Sequence, residues 1–173
     1  MKRSWTVTIW TLLTALSACT GFQGGPTAVA DLEATKGNAV WGKVSFVQVA
    51  GKVVVRADVR GLRPSAQFGF HVHEKGDCTS SDGMAAGGHF NPTDKSHAHY
   101  SVPERHAGDL ASLRSDAEGV AVYAFETTLL SVTAGPTSVV GRAIIIHAEP
   151  DDYRTQPTGN SGARIACGLI RAV

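Results

Sequence analysis

From about residue 30 onward, apolar residues recur at every second position. In Lys52 to Arg60, Val53, Val55, Ala57 and Val59 share one face, and Lys52, Val54, Arg56 and Asp58 share the other. Side chains alternate across a strand, so the segment reads as a half-buried β-strand. Val40 to Val49 is a second short segment rich in β-branched residues, joined to the first at Ala50-Gly51. Gln67 to His73 sets Phe68, Phe70 and Val72 against Gly69, His71 and His73, while Gly119 to Thr127, Ala143 to His147 and Arg164 to Ile170 read as further strands. Weaker ones are expected at Asp31 to Thr35 and Asp109 to Leu113, making about eight in all. No stretch combines a helical period with caps. The expected fold is all-β, an antiparallel sandwich or barrel.

One segment breaks the pattern. Glu74 to Gly108 is more than thirty residues of mainly Gly, Pro, Ser, His and Asp, and structureless loops beyond about 15 residues are uncommon in a compact domain. Something must tie it down. Cys78 near one end and histidines along the rest point to a disulfide and a metal.

The amino-terminal end has a different character. Lys2 and Arg3 precede an apolar run from Trp5 to Leu16, about a dozen residues and too short to span a bilayer unaided. Residues 1–18 therefore read as a secretory signal. Leu16-Ser17-Ala18 before Cys19 resembles the lipobox of bacterial lipoproteins, in which the cysteine takes a diacylglyceryl group and becomes the new first residue. That resemblance implies a lipidated Cys19, attachment to a bacterial membrane through it, and an extracytoplasmic location in the periplasm or at the cell surface. Residues 19–29 would form a flexible tether. Residues 30–173 are enough for one domain with one core. Removing Lys2 and Arg3 leaves fourteen basic residues against fifteen acidic ones, and no basic tract offers a footprint for nucleic acid. With Cys19 lipidated, Cys78 and Cys167 are an even pair in an exported chain, which favours a disulfide over two free thiols.

All seven histidines lie between residues 71 and 147. His71 and His73 are i and i+2 on a strand, so they leave the same face with Cα atoms roughly 6.6 Å apart, close enough for both rings to reach one ion. Alone, such a pair is weak. More histidines follow in Gly88-His89-Phe90-Asn91-Pro92, at His97, in Arg105-His106-Ala107-Gly108-Asp109-Leu110 and in Ile146-His147. These segments, with Gly69-Phe70-His71-Val72-His73-Glu74, Gly141-Arg142 and Gly162-Ala163-Arg164-Ile165-Ala166-Cys167-Gly168, resemble in order the signatures of the copper/zinc superoxide dismutases. The likeness runs from about Ala30 to Ile170.

The resemblance implies a Greek-key barrel or sandwich of about eight strands with a long metal-binding loop and a second active-site loop. It implies copper on His71, His73, His89 and His147, and zinc on His89, His97, His106 and Asp109, with His89 bridging the two as an imidazolate. The donor types suit this: imidazoles favour copper, and three imidazoles with a carboxylate make an acceptable tetrahedral zinc site. Asp151 matches an aspartate that orients ligands through their free ring nitrogens. Arg164 matches an arginine that holds the small anion beside copper, and Cys78 and Cys167 match the family disulfide. The implied reaction converts superoxide to oxygen and hydrogen peroxide by copper redox cycling, with zinc structural.

The likeness has departures. In place of the family's His-Gly-x-Pro, His97 is followed by Ala98-His99-Tyr100-Ser101-Val102-Pro103, so His99 competes for that ligand position. Spacing to His89 and His106 favours His97. Cys78 lies eleven residues before His89, a longer insertion of the bacterial kind. The segment from Ala148 to Ala163 is short and lacks lysine, so the attractive field ascribed to this loop in eukaryotic relatives is expected to be either weaker here or supplied elsewhere. Bacterial and eukaryotic relatives pair through different surfaces, so a homodimer stays open. An extracytoplasmic copper and zinc buffer without turnover is the alternative reading, but a buffer does not need an anion-binding arginine.

Overall fold

The structure, a computed structural model, describes residue 1 and residues 25–173. The remainder of the leader, Cys19 and the first part of the tether lie outside the described residues. Ten strands follow in order: β1 Thr27–Ala34, β2 Trp41–Val49, β3 Lys52–Arg60, β4 Gln67–Phe68, β5 Phe70–His73, β6 Leu113–Arg114, β7 Ala121–Thr127, β8 Ala143–His147, β9 Arg164–Leu169 and β10 Arg171–Ala172. Among the described residues the only helical element is a single 3₁₀ turn, Met84–Ala86, and no helix is long and apolar enough to cross a membrane.

The main sheet runs β5-β8-β9-β1-β2-β3-β7, antiparallel throughout, with β10 also on β1. The short pair β4 and β6 stands apart. The chain leaves β3 near one edge and re-enters the sheet at β5 on the other, then leaves β7 and returns at β8 beside β5. These two crossings make the topology a Greek key. The sheet curls until its edges approach, so Phe70 of β5 and Tyr123 of β7 meet edge to face with ring centroids 5.3 Å apart. The result is a barrel-like, all-β fold.

The alternation read in β3 is realised: Val53, Val55, Ala57 and Val59 are buried while Lys52, Arg56, Asp58 and Arg60 are exposed. They join Val44, Phe46, Phe68, Phe70, Leu110, Leu113, Ile144, Ile146 and Ile170 in one core. Each such side chain contributes roughly 1.5–3 kcal/mol on burial.

β5 and β8 are buried on both faces. Phe70, Val72, Ile144 and Ile146 point into the core, while the registers His71↔Ile145 and His73↔Ala143 put His71, His73, Ala143, Ile145 and His147 on the outer face. The long loop covers that face. Val72 N–H donates to Gly108 O at 3.0 Å, Phe90 N–H to Val72 O at 2.8 Å and Gly108 N–H to Phe90 O at 2.9 Å, so the middle and the far end of the loop clasp the free edge of β5. Cys78 and Cys167 are joined by a disulfide with Cα atoms 5.7 Å apart, and Cys167 packs with Ala86, Ala143 and Ile145 in a small second cluster. The two cross-links expected of the loop are thus a disulfide and, at its other end, the histidine cluster described below.

Three boundaries differ from the sequence reading. β1 begins at Thr27, inside the 19–29 tether, because Ala28 and Ala30 reach the core despite their small size. Gln67 to His73 breaks at Gly69, whose N–H donates to Glu149 O and whose carbonyl accepts from His147 N–H, tying the second loop to β5. Asp109 to Leu113 is not a strand: Asp109 makes one isolated bridge with His71, and pairing starts only at Leu113.

Candidate metal centre

Two groups of buried side chains bring their donor atoms together, His71, His73, His89 and His147 in one, and His89, His97, His106 and Asp109 in the other. Within each group the donor atoms lie within 4.8 Å of one another, and His89 belongs to both. β5 and β8 supply His71, His73 and His147 from their outer face; the long loop supplies the rest.

The hydrogen bonds fix which nitrogen of each ring is free. His71 Nε2 donates to Asp151 Oδ2 at 2.8 Å, His73 Nδ1 to Gly87 O at 2.9 Å, and His147 Nδ1 to Gly162 O at 3.2 Å. His89 Nδ1 donates to Asp109 Oδ1 at 2.9 Å. Carbonyls and carboxylates only accept, so each neutral ring carries its proton at that nitrogen and has a lone pair at the other. Four lone pairs then converge: His71 Nδ1, His73 Nε2, His89 Nε2 and His147 Nε2. His71 Nδ1 and His89 Nε2 are buried with no partner, and the Nε2 atoms of His73 and His147 face each other at 3.3 Å. Facing lone pairs repel unless a cation lies among them. An imidazole donor set of this kind suits copper.

The second group is richer in negative charge. Asp109 lies 2.9 Å from His89 Nδ1, 3.0 Å from His97 Nδ1 and 3.3 Å from His106 Nδ1. His97 Nδ1 makes no hydrogen bond despite its closeness to Asp109 Oδ2, the relation expected of two ligands of one ion. Its Nε2 donates to Asp151 Oδ1 at 2.9 Å. Three imidazole nitrogens and one carboxylate suit zinc.

Protonation follows this geometry. Burial, reinforced by His89 and His147, holds His71 and His73 well below the ordinary imidazole value, and burial also lowers His89. His147 is brought down to about 4, chiefly by burial. Neutral rings are the form that binds a metal. For His97 burial opposes the charged form, but the close carboxylates of Asp109 and Asp151 outweigh it and raise the ring to about 9. For Asp109 burial is likewise outweighed, by the close imidazoles of His106, His89 and His97, and its carboxyl is held far below the ordinary range.

The remaining expected residues fall around these groups. Asp151 spans His71 and His97, and so touches one ring of each group. Arg164 donates from Nη1 to Gly83 O at 2.7 Å and from Nη2 to Gly87 O at 2.6 Å. Gly87 O is also the acceptor of His73, so a single carbonyl couples the guanidinium to the first group. His99 stands outside both groups, bonded to Ser101 Oγ at 2.7 Å, stacked against Tyr100 and edge-on to Tyr153.

Sequence reasoning missed Gly159, which sits at φ 67° and closes on Asp151 and His97. A Cβ there would lie 1.8 Å from Asp151 Oδ1 and 2.6 Å from His97 Nε2, so only glycine leaves room for that bond. It assigned no contact to Arg142, whose guanidinium lies 4.2 Å from the centroid of the Phe90 ring and bonds Glu74 O, tying the residue after His89 to the residue after His73. An arginine directly after Gly141 was visible; its contacts were not.

A curled antiparallel barrel carrying two histidine groups that share one ring defines a binuclear metalloprotein. The chain belongs to the copper/zinc superoxide dismutase family, whose model, described as copper/zinc superoxide dismutase (SODC), matches residues 40–170. It is 44% identical over 139 residues to a superoxide dismutase [Cu-Zn] of Yarrowia lipolytica, covering 76% of this chain and 89% of that one. Superoxide dismutase [Cu-Zn] 2 of Aquifex aeolicus is 35% identical over 148 residues, 83% of this chain and 86% of its own. Among solved structures, a superoxide dismutase-like protein of Bacillus subtilis, as a double mutant, is 38% identical with a TM-score of 0.74, covering 81% of this chain and 94% of that chain. The clock protein EA4 superposes with a TM-score of 0.78 at 37% identity, covering 88% of this chain and 98% of that chain. The activity is the conversion of superoxide to oxygen and hydrogen peroxide, with copper and zinc as cofactors.

Proposed function

We propose that this chain performs that reaction with copper on His71, His73, His89 and His147, zinc on His89, His97, His106 and Asp109, and superoxide docked by Arg164. The observation that carries the reading is His89: its Nδ1 is committed to the carboxylate-bearing group, while its Nε2 is buried and unpartnered among three other lone pairs. Copper, when bound, supplies a one-electron couple, whereas zinc has no redox chemistry of its own and serves structure.

The balance is two superoxide anions and two protons to one oxygen and one hydrogen peroxide. His89 Nε2 is the protein atom suited to hold one of those protons and give it up. Asp151 orients His71 and His97 through their free N–H groups. Arg164 spends two of its five N–H donors on Gly83 and Gly87, leaving the others for a small anion. Its own charge helps to keep His73 and His147 neutral.

In the same reading Cys19 carries a diacylglyceryl anchor and the enzyme works outside the cytoplasm, tethered to a bacterial membrane. The lipobox-like Leu16-Ser17-Ala18-Cys19 supports this, as does the Cys78–Cys167 disulfide, a bond that persists in oxidising compartments.

Arg164→Glu tests the reading against a metal buffer. Both metals should stay bound while superoxide consumption falls by about 10²-fold, the scale of losing one anion-stabilising donor. Arg164→Lys should fall between, because it keeps the charge without the planar fork. Full activity in Arg164→Glu at full metal occupancy would contradict it.

A further inference from the structure

The loop around His97 has no strand to pair with, yet His97 is buried. A buried backbone N–H and C=O need partners. Both come from one side chain 59 residues away: His97 N–H donates to Gln156 Oε1 at 2.8 Å, and Gln156 Nε2 donates to His97 O at 2.7 Å. Because the N–H can only donate and the carbonyl only accept, this pair of bonds fixes the orientation of the amide. Its second N–H is taken by Arg154 O at 3.2 Å, so the amide is anchored within its own loop. Gln156 thus replaces a neighbouring strand at one residue, in the way a two-bond bridge sets register in a sheet.

We infer that Gln156 is a positioning residue for the zinc site, clamping the backbone of His97 so that His97, and not His99, presents its ring to Asp109. The inference rests on the zinc assignment proposed above. Asn91 pins Lys95 and Asp109 Oδ2 accepts from Ala98 N–H at 3.3 Å, but among the described residues Gln156 is the only partner of the His97 N–H and C=O themselves. His97 and His99 are i and i+2, and a slip of two residues would carry His99 toward the position His97 now holds. The Asp151 bond to the His97 ring fixes its tip; Gln156 fixes its base.

Gln156→Met keeps length and bulk while deleting both bonds, and Gln156→Glu keeps the acceptor but loses the donor. Zinc affinity, measured by chelator competition, should fall about tenfold or more in both, the range seen when outer partners of a ligand are removed. Copper affinity should stay within a factor of two or so. Cobalt(II) in the zinc site should show a changed visible spectrum, which a general loss of stability would not produce. His99→Ala should have no effect on zinc in the parent but should weaken it further in Gln156→Met. The clamp is overturned if Gln156→Met binds zinc as the parent does, or if zinc and copper weaken equally with an unchanged cobalt spectrum. His97→Ala separates the two layers: if it retains zinc, the ligand assignment fails; if it loses zinc while Gln156→Met does not, only the clamp fails.

Discussion

Replacing Cys78 and Cys167 together by alanine should destabilise the metal-free protein by several kcal/mol. The bridge joins residues 89 apart, and closing a loop of that length removes about 15 cal/mol/K of chain entropy from the unfolded state. At 25 °C this is about 4.6 kcal/mol. For a domain of this size each kcal/mol shifts the melting midpoint by roughly 2–4 °C, so the variant should melt about 10–18 °C lower. The loss should have a local signature too, because the bridge pins the turn whose carbonyls at Gly83 and Gly87 receive Arg164. Equilibrium urea unfolding of the metal-free variant beside the oxidised parent is the assay. Metal must be absent, since its binding would add its own stabilisation. A difference below about 1 kcal/mol would refute the reasoning, and would mean that the backbone clasp of Val72, Phe90 and Gly108 holds the loop unaided.

His97→Ala should lose most bound zinc while His99→Ala keeps it, read by metal analysis after dialysis; the reverse pattern would exchange their roles. The metal-free protein should melt highest between about pH 6 and 7. The neutral His147, about 4 when folded against 6.5 unfolded, contributes stability that is full above 6.5 and lost as pH falls through about 4. His97, raised to about 9, contributes stability that is full below 6.5 and lost as pH rises through about 9. A calorimetric midpoint flat from pH 4 to 10 would contradict both signs. Cys19→Ser should release the mature protein from membranes in cell fractionation, and a wild type found wholly in the soluble fraction would remove the anchor.

Much of this fold was legible because its strands are half exposed. β3 alternates cleanly, so its period could be read. β8 does not alternate, because the long loop buries its outer face, yet its β-branched run still marked it as a strand. Thr27 to Val29 passed for tether, since alanines carry little pattern and β1 is held by pairing with β2. Asp109 sits where a strand was expected, but its carboxylate is taken up by three histidines.

The site divides in the same way. Residue type and spacing alone offered His71 and His73 as a weak pair; it was the resemblance of the surrounding segments that let His89, His97, His106, Asp109 and His147 be named with them. Of the groups that hold them, Asp151 and Arg164 could be named from the resemblance, but the backbone contacts could not. Gln156 on the His97 backbone, Arg164 on two glycine carbonyls and Gly159 beside Asp151 act across 59, 77 to 81 and 8 residues, mostly through backbone groups that every residue has. Sequence carries no mark of which carbonyl a guanidinium will find.

The account rests on two metals of different kinds bound side by side for turnover. Purified protein should carry one copper and one zinc per chain and consume superoxide. Stripping the metals should abolish that activity, and copper added with zinc should restore it where zinc alone does not. A protein that fills both sites, with Arg164 intact, and still leaves superoxide unconsumed would contradict the account at its centre.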